Sequence, residues 1–136
     1  MKMRSLLAAA ALTGAVGLAV PALAHHSVNA QFDAGKEDLV TGVLTKIEVI
    51  NPHSQWDFAA KNAKGGTDAW HFESASPAVL RRGGVRVKED IKVGNTYVIH
   101  YNPSLDGSHT GYMRGIEING KLANINQLVD VRATDP

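Results

Sequence analysis

The chain has 136 residues, of which 44% are apolar and 20% are charged, and it contains no cysteine. This length supports one globular domain and excludes a multidomain enzyme. The 14 basic and 13 acidic residues nearly balance, which disfavours a basic nucleic-acid footprint, and the lack of cysteine excludes a disulfide-stapled mini-protein.

The first 24 residues have the three parts of a secretory signal peptide. Lys2 and Arg4 form a basic start, residues 6–20 form an uncharged apolar run, and Ala22-Leu23-Ala24 is a small-x-small cleavage site. Crossing a bilayer takes ~20 apolar residues, and this run is shorter and interrupted by glycine, so it does not predict a transmembrane helix. We therefore predict cleavage after Ala24, export to the periplasm, and a mature chain that begins at His25 with a net charge of −1.

Three segments are predicted after the cleavage site. Residues 25–38 are polar with one large apolar side chain, Phe32, which indicates an extended arm lying over the domain. The β-rich domain spans residues 39–120. The tail at 121–136 has apolar residues at mixed spacing, which predict no element.

The domain begins with a long strand at 39–50, where β-branched residues are dense. Alternation predicts one face with Val43, Thr45, Ile47 and Val49 and an opposite face with Leu44, Lys46 and Glu48. Gly42 predicts a bend or bulge within the strand, and Asn51-Pro52 ends it, because proline cannot donate to a ladder.

Two further strands, at 55–61 and 69–74, predict a hairpin around the turn Lys64-Gly65-Gly66-Thr67. Alternation directs four aromatic side chains into the core: Trp56, Phe58, Trp70 and Phe72. His71 and Glu73 then point outward.

A short helix is predicted at 77–82, because Ser76 is a good N-cap, Pro77 fits the first turn and Gly83 follows the end. Strands at 96–101 and 110–118 follow, separated by a loop at 102–108, and Asn119-Gly120 predicts a hairpin turn. Five strands with a helix between the third and fourth predict an all-β fold, a small Greek-key barrel of the oligonucleotide/oligosaccharide-binding type. A two-sheet sandwich is the alternative.

Several short motifs resemble those of a family of small exported bacterial proteins of unknown function. They are His25-His26-Ser27 after Ala24, Phe32-Asp33, Asn51-Pro52-His53, Trp70-His71-Phe72-Glu73, Ser76-Pro77 and Leu80-Arg81-Arg82-Gly83. The AHHS start paired with a downstream NPH is a specific combination. The resemblance covers nearly the whole mature chain and implies a periplasmic, single-domain, β-rich protein, but it implies no activity.

Histidines at the predicted mature terminus indicate a transition-metal site. The α-amino group and ring of His25 can chelate one ion, since both lose their protons near neutral pH. With His26 and His53 the site suits copper, or zinc if a fourth ligand closes a tetrahedron. His71 and Glu73 are candidates to complete it. A simpler interpretation is that the terminal histidines are mobile polar residues and that His53 caps a turn.

The sequence contains two other candidate sites. His53 and Glu73 beside Trp70 could form a proton-transfer pair or a satisfied polar contact. A basic cluster could bind an anionic surface or be an ordinary solvated face: Arg81, Arg82, Arg86, Lys88 and Lys92. Signature motifs of hydrolases are absent from the sequence.

The sequence therefore predicts a binding module rather than an enzyme or a nucleic-acid-binding protein. Its ligand would be a metal ion, copper or zinc, or a small molecule. The alternative is an envelope structural or protein-interaction domain without a metal site. A third interpretation, an oxidase with copper on the terminal histidine, has no predicted substrate face.

Overall fold

A computed structural model describes residues 28–125. Its elements are α1 (Val28–Gln31), β1 (Asp38–Glu48), β2 (Ser54–Lys61), β3 (Thr67–Ser74), α2 (Pro77–Arg82), α3 (Val87–Asp90), β4 (Thr96–Pro103), β5 (Thr110–Ile118) and β6 (Lys121–Asn124). The predicted signal peptide, His25, His26 and the tail after Ile125 lie outside the described residues.

Five strands close into a barrel. β1 pairs antiparallel with β2 on one side and with β4 on the other, while β2 pairs with β3 and β4 with β5. The barrel closes where β3 runs parallel to β5, with His71–Glu73 opposite Thr110–Tyr112. This closure confirms the predicted all-β barrel and excludes the two-sheet sandwich. β6 adds an outer strand to β5 after the turn at Asn119-Gly120, within the segment for which no element was predicted.

The side-chain alternation predicted for the first strand is wrong. Val43 is 37% exposed, whereas its neighbour Leu44 is fully buried. The register of β1 against β2 shifts just after Leu44, which places a β-bulge at Thr45 rather than at Gly42. Because a bulge adds one residue to one strand, the alternation reverses there, and Ile47 packs against the core although Val43, predicted for the same face, is exposed.

The barrel interior is filled by large side chains from the strands and from α2. The largest fully buried side chains are Trp56, Phe58, Phe72, Leu44, Leu80, Ile99, Met113 and Ile116. Three of the four predicted core aromatics are among them. The fourth, Trp70, is only partly buried and packs against this core from outside.

The predicted helix is present as α2. Ser76 accepts a hydrogen bond from the backbone N–H of Val79 at 3.4 Å, and Leu80 is fully buried beneath the helix. Two further helical turns, α1 and α3, were not predicted, since each is only four residues long. β4 continues through Asn102 into the predicted loop, because Asn102 pairs with Tyr112 and its amide donates to the Lys36 carbonyl at 2.6 Å.

Candidate functional site

His53 and Glu73 are brought together at one end of the barrel. His53 lies in the β1–β2 connection immediately before β2, and Glu73 lies near the end of β3, opposite Gln55 in the β2–β3 ladder. Nδ1 of His53 is 3.3 Å from Oε2 of Glu73, and their side chains are 34% and 29% exposed. The predicted pair is therefore in contact and still reachable from solvent.

A row of aromatic rings connects His53 to the start of the described chain. The ring of Tyr112 lies edge-on to His53 with centroids 6.0 Å apart, and the centroid of the Phe32 ring is 6.0 Å from that of Tyr112. Burial raises the pKa of the Tyr112 hydroxyl, and the Glu73 carboxylate adds to this effect against the opposing influence of Arg114.

Phe32 anchors the N-terminal arm to this end of the barrel. Its side chain is 5% exposed, and its backbone forms a β-bridge with Ser104 in the β4–β5 loop. The next residue, Asp33, donates its N–H to the Pro103 carbonyl at 2.9 Å, and Leu105 donates to the Gln31 carbonyl at 2.9 Å. The arm is thus held beside the His53–Glu73 pair, six residues after His26.

His71 has a different setting from the one expected of a metal ligand. Its Nδ1 is 2.6 Å from Oδ1 of Asp57, and its Nε2 is 2.7 Å from Oε1 of Gln55. Both ring nitrogens are therefore occupied by neighbours on β2. The sequence pattern alone did not link Asp57 or Gln55 to His71. The hairpin register, which pairs Asp57 with His71 directly, would have revealed the contact.

The two other described histidines are also engaged. Nδ1 of His100 is 3.3 Å from Glu37 and its Nε2 is 3.1 Å from Glu117, so it bridges two carboxylates. His109 stacks on Trp70 with centroids 4.6 Å apart. Within residues 28–125 no three histidine, aspartate or glutamate side chains are grouped so as to hold a metal ion.

The predicted basic cluster surrounds α2 and α3. Arg86 forms an ion pair with Asp90 at 3.1 Å, and Arg81 and Arg82 are exposed in the last turn of α2. Beside them lies an open groove of about 380 Å³, lined by Val49, Val85 and Val87 among others. Arg81, Arg86 and Lys88 of the cluster line this groove, whereas His53 and Glu73 do not.

Fold and site together define a small closed β-barrel with a histidine–carboxylate pair at one end. The chain belongs to a family of unknown function, DUF6152, whose model matches residues 14–114. This agrees with the predicted membership of an uncharacterised family. No curated protein matches the chain.

Among solved structures, the chain is similar to one in the crystal structure of yeast Stn1 and Ten1. The two are 11% identical, the similarity covers 71% of this chain and 48% of that chain, and the TM-score is 0.35. The chain thus spans about half the length of that relative, and so low a score carries no argument about function. Within residues 28–125, no helix has the length and apolar character needed to cross a membrane.

Proposed function

We propose that this chain is an exported periplasmic binding module that holds Cu(II) or Zn(II) at its mature N-terminus. The α-amino group and imidazole of His25 chelate the ion, and His26 and His53 supply further nitrogen ligands. Export and cleavage after Ala24 are part of the proposal, since only cleavage at that bond produces the free amino group of His25.

The observation that carries the proposal is the setting of His53. A carboxylate at Nδ1 favours the tautomer with its proton on that nitrogen, which leaves a lone pair on Nε2. Glu73 is placed to do this. Within residues 28–125, Nε2 of His53 has no hydrogen-bond partner, in contrast to the fully engaged rings of His71 and His100.

The length of the segment between His26 and Phe32 supports the proposal that His26 and His53 bind the same ion. The ring row Phe32–Tyr112–His53 spans two steps of 6.0 Å. Between His26 and Phe32 lie Ser27, which extends the chain by ~3.5 Å, and the single turn of α1, which covers ~6 Å at 1.5 Å per residue. These lengths are comparable with the distance that the ring row spans, which supports the proposed binding of one ion by His26 and His53.

The donor set decides which ions suit the site. Amine and imidazole nitrogens in one plane are the preferred ligands of Cu(II). Zn(II) prefers four tetrahedral ligands, and the Glu73 carboxylate is the nearest additional donor. With Cu(II) bound, Glu73 would instead orient His53 through its Nδ1 proton.

Isothermal titration calorimetry of the processed protein tests the proposal. Protein that begins at His25, verified by mass, is expected to bind one equivalent of Cu(II). Acetylation of the His25 α-amino group removes the amine chelate, and His53→Ala removes a ring ligand, so each change should weaken binding at least tenfold. His109→Ala is the matched control and should leave the affinity unchanged. Equal affinity in all four proteins would contradict the proposal.

A second candidate is a protein-interaction domain of the envelope. It is favoured by two adjacent apolar residues after β1, Val49 and Ile50, which are 43% and 47% exposed beside the groove near α2. A photo-crosslinking residue at position 50 should then capture one partner in intact cells, whereas the same residue at exposed Val93 should not. Equal labelling at both positions would contradict this candidate.

A further inference from the structure

A second concave surface lies between the N-terminal arm, β3, β4 and the β4–β5 loop. It is an open cleft of about 370 Å³, a volume within the ~300–1,000 Å³ of small-molecule sites. The residues that matter here are Asp33, Lys36, Asp38, Trp70, Tyr101 and His109. None of them belongs to the proposed metal site.

Three rings form one wall of the cleft. Trp70 stacks on His109 with an angle of 18° between the planes, and it meets Tyr101 nearly edge-on, with centroids 5.5 Å apart. Trp70 is only partly buried, although it continues the inward face of β3 that carries the fully buried Phe72. The cleft therefore has an aromatic wall that reaches solvent.

Two hydrogen-bond donors on this wall have no partner among residues 28–125: the indole N–H of Trp70 and the hydroxyl of Tyr101. Every buried side-chain polar atom in that part of the chain has a partner, so both groups must reach solvent. Tyr101 is only 5% exposed, and it lines the cleft, so its hydroxyl is placed to be solvated there. Aromatic residues with unsatisfied polar groups in a concave site are typical of ligand-binding surfaces.

Hydrogen-bond acceptors also line the cleft. Asp33 and Asp38 both line the cleft, and Lys36 forms an ion pair with Asp38 at 3.0 Å. The Asp38 carboxylate is close enough to Tyr101 to raise the pKa of the hydroxyl further, after the larger effect of burial. Asp33, Lys36 and Asp38 together carry a net negative charge, which disfavours an anionic ligand.

We infer that this cleft binds a neutral saccharide, with a sugar ring packed on the Trp70–His109 stack. The indole N–H and the Tyr101 hydroxyl would donate to sugar oxygens, and the aspartates would accept from sugar hydroxyls. An organic cation would also suit the rings and the aspartates. An organic cation has no acceptor for the Trp70 N–H and the Tyr101 hydroxyl, however. These two donors therefore favour a polyhydroxylated ligand.

Nitrogen-15 NMR of the metal-free protein provides a direct readout, because the chain has two tryptophans. The indole N–H of Trp56 is buried and donates to Ser74, so its signal serves as an internal reference. The probes are three neutral trisaccharides, chitotriose, cellotriose and maltotriose, with choline as the cationic comparison. We expect at least one trisaccharide at millimolar concentration to shift the Trp70 signal while the Trp56 signal stays fixed.

Two tyrosine variants make this test specific. Tyr101→Phe removes only the hydroxyl and should weaken saccharide binding about fivefold or more. Tyr112→Phe removes the hydroxyl of a tyrosine outside the cleft and should leave binding unchanged. The inference is overturned if no trisaccharide shifts the Trp70 signal, if only choline does, or if both variants bind like the parent protein.

Discussion

At the scale of single residues, Ser74 shows how the core accommodates a polar group. Trp56 and Ser74 are both fully buried, and the indole N–H donates to the Ser74 hydroxyl at 2.7 Å. Leaving a buried donor unpaired costs about 1–3 kcal/mol. This one hydrogen bond therefore allows the largest core side chain to be a tryptophan.

We predict that Ser74→Ala lowers the free energy of unfolding by about 1–3 kcal/mol, because it leaves the buried Trp56 N–H without an acceptor. Ser54→Ala is the matched control, since Ser54 is equally buried but makes only a 3.5 Å contact to the Ile50 carbonyl. Urea denaturation should show the larger loss for Ser74→Ala. Losses of equal size would argue against the role of the hydrogen bond.

His100 links three elements through its ring. Burial lowers the pKa of His100, but its hydrogen bonds to Glu117 and Glu37 and the charges of both carboxylates outweigh this, so the net pKa is raised above 6.5. A histidine with a raised pKa in the folded state stabilises the fold below its unfolded pKa. That contribution is lost as the pH rises through the folded pKa.

We therefore expect His100→Gln to destabilise the protein more at pH 5.5 than at pH 8.5. The difference should stay below about 1 kcal/mol, the usual range for partly exposed ion pairs. Denaturation curves of the parent and variant at the two pH values measure it, and Glu117→Gln should reduce the same pH dependence. A destabilisation that is independent of pH would show that the charged form plays no part.

At the scale of elements, local sequence patterns explain most strands and one helix. The hairpin β2–β3 follows from alternation, since Trp56, Phe58 and Phe72 all lie inside as predicted. The face of β1 could not be predicted in the same way, because a bulge at Thr45 is set by pairing with a strand distant in sequence. α3 and β6 are each four residues long and have no periodic pattern to reveal them.

Closure of the barrel depends on the close approach of β3 to β5. Gly111 lies at this seam, paired with Phe72, and a Cβ at Gly111 would overlap the ring of Tyr101 and lie 3.1 Å from the ring of Phe72. The backbone carbonyl of Asn102 is equally near, and it cannot move without breaking the pairing of β4 with β5. The seam thus requires a residue without a side chain.

We predict that Gly111→Ala lowers the free energy of unfolding by about 1–3 kcal/mol, the cost of overpacking. Gly35→Ala is the control, because its Cβ would make an ordinary 3.4 Å contact and its backbone is exposed. Thermal denaturation should separate the two variants clearly. A parent-like melting temperature for Gly111→Ala would mean that the seam can widen at little cost.

At the scale of the whole molecule, the candidate site combines a contact that follows from the sequence with contacts that depend on the tertiary structure. The contact between His53 and Glu73 was foreseeable, because His53 directly precedes β2 and Glu73 lies near the end of β3, the antiparallel partner of β2 in the predicted hairpin. The row Phe32–Tyr112–His53 was not, since the position of the arm depends on bridges to the β4–β5 loop. His25 and His26 lie outside the described residues, so their part in the site stays a prediction.

Metal binding by the whole protein should depend steeply on pH. The α-amino group has a reference pKa of ~7.7–8.0 and imidazole one of ~6.5, and both must lose their protons to bind. Below about pH 6, the affinity for Cu(II) should fall at least tenfold per pH unit. Calorimetry at pH 5 and pH 6 measures this, and an unchanged affinity would exclude amine and imidazole ligands.

The number of nitrogen ligands on Cu(II) tests the central claim most directly. Electron paramagnetic resonance of the processed protein with one equivalent of Cu(II) reports them through nitrogen hyperfine splitting. We predict coupling to at least three nitrogens, with one coupling lost in His53→Ala and none lost in His109→Ala. Identical spectra for the parent protein and His53→Ala would contradict the proposed meeting of the mature N-terminus with the barrel.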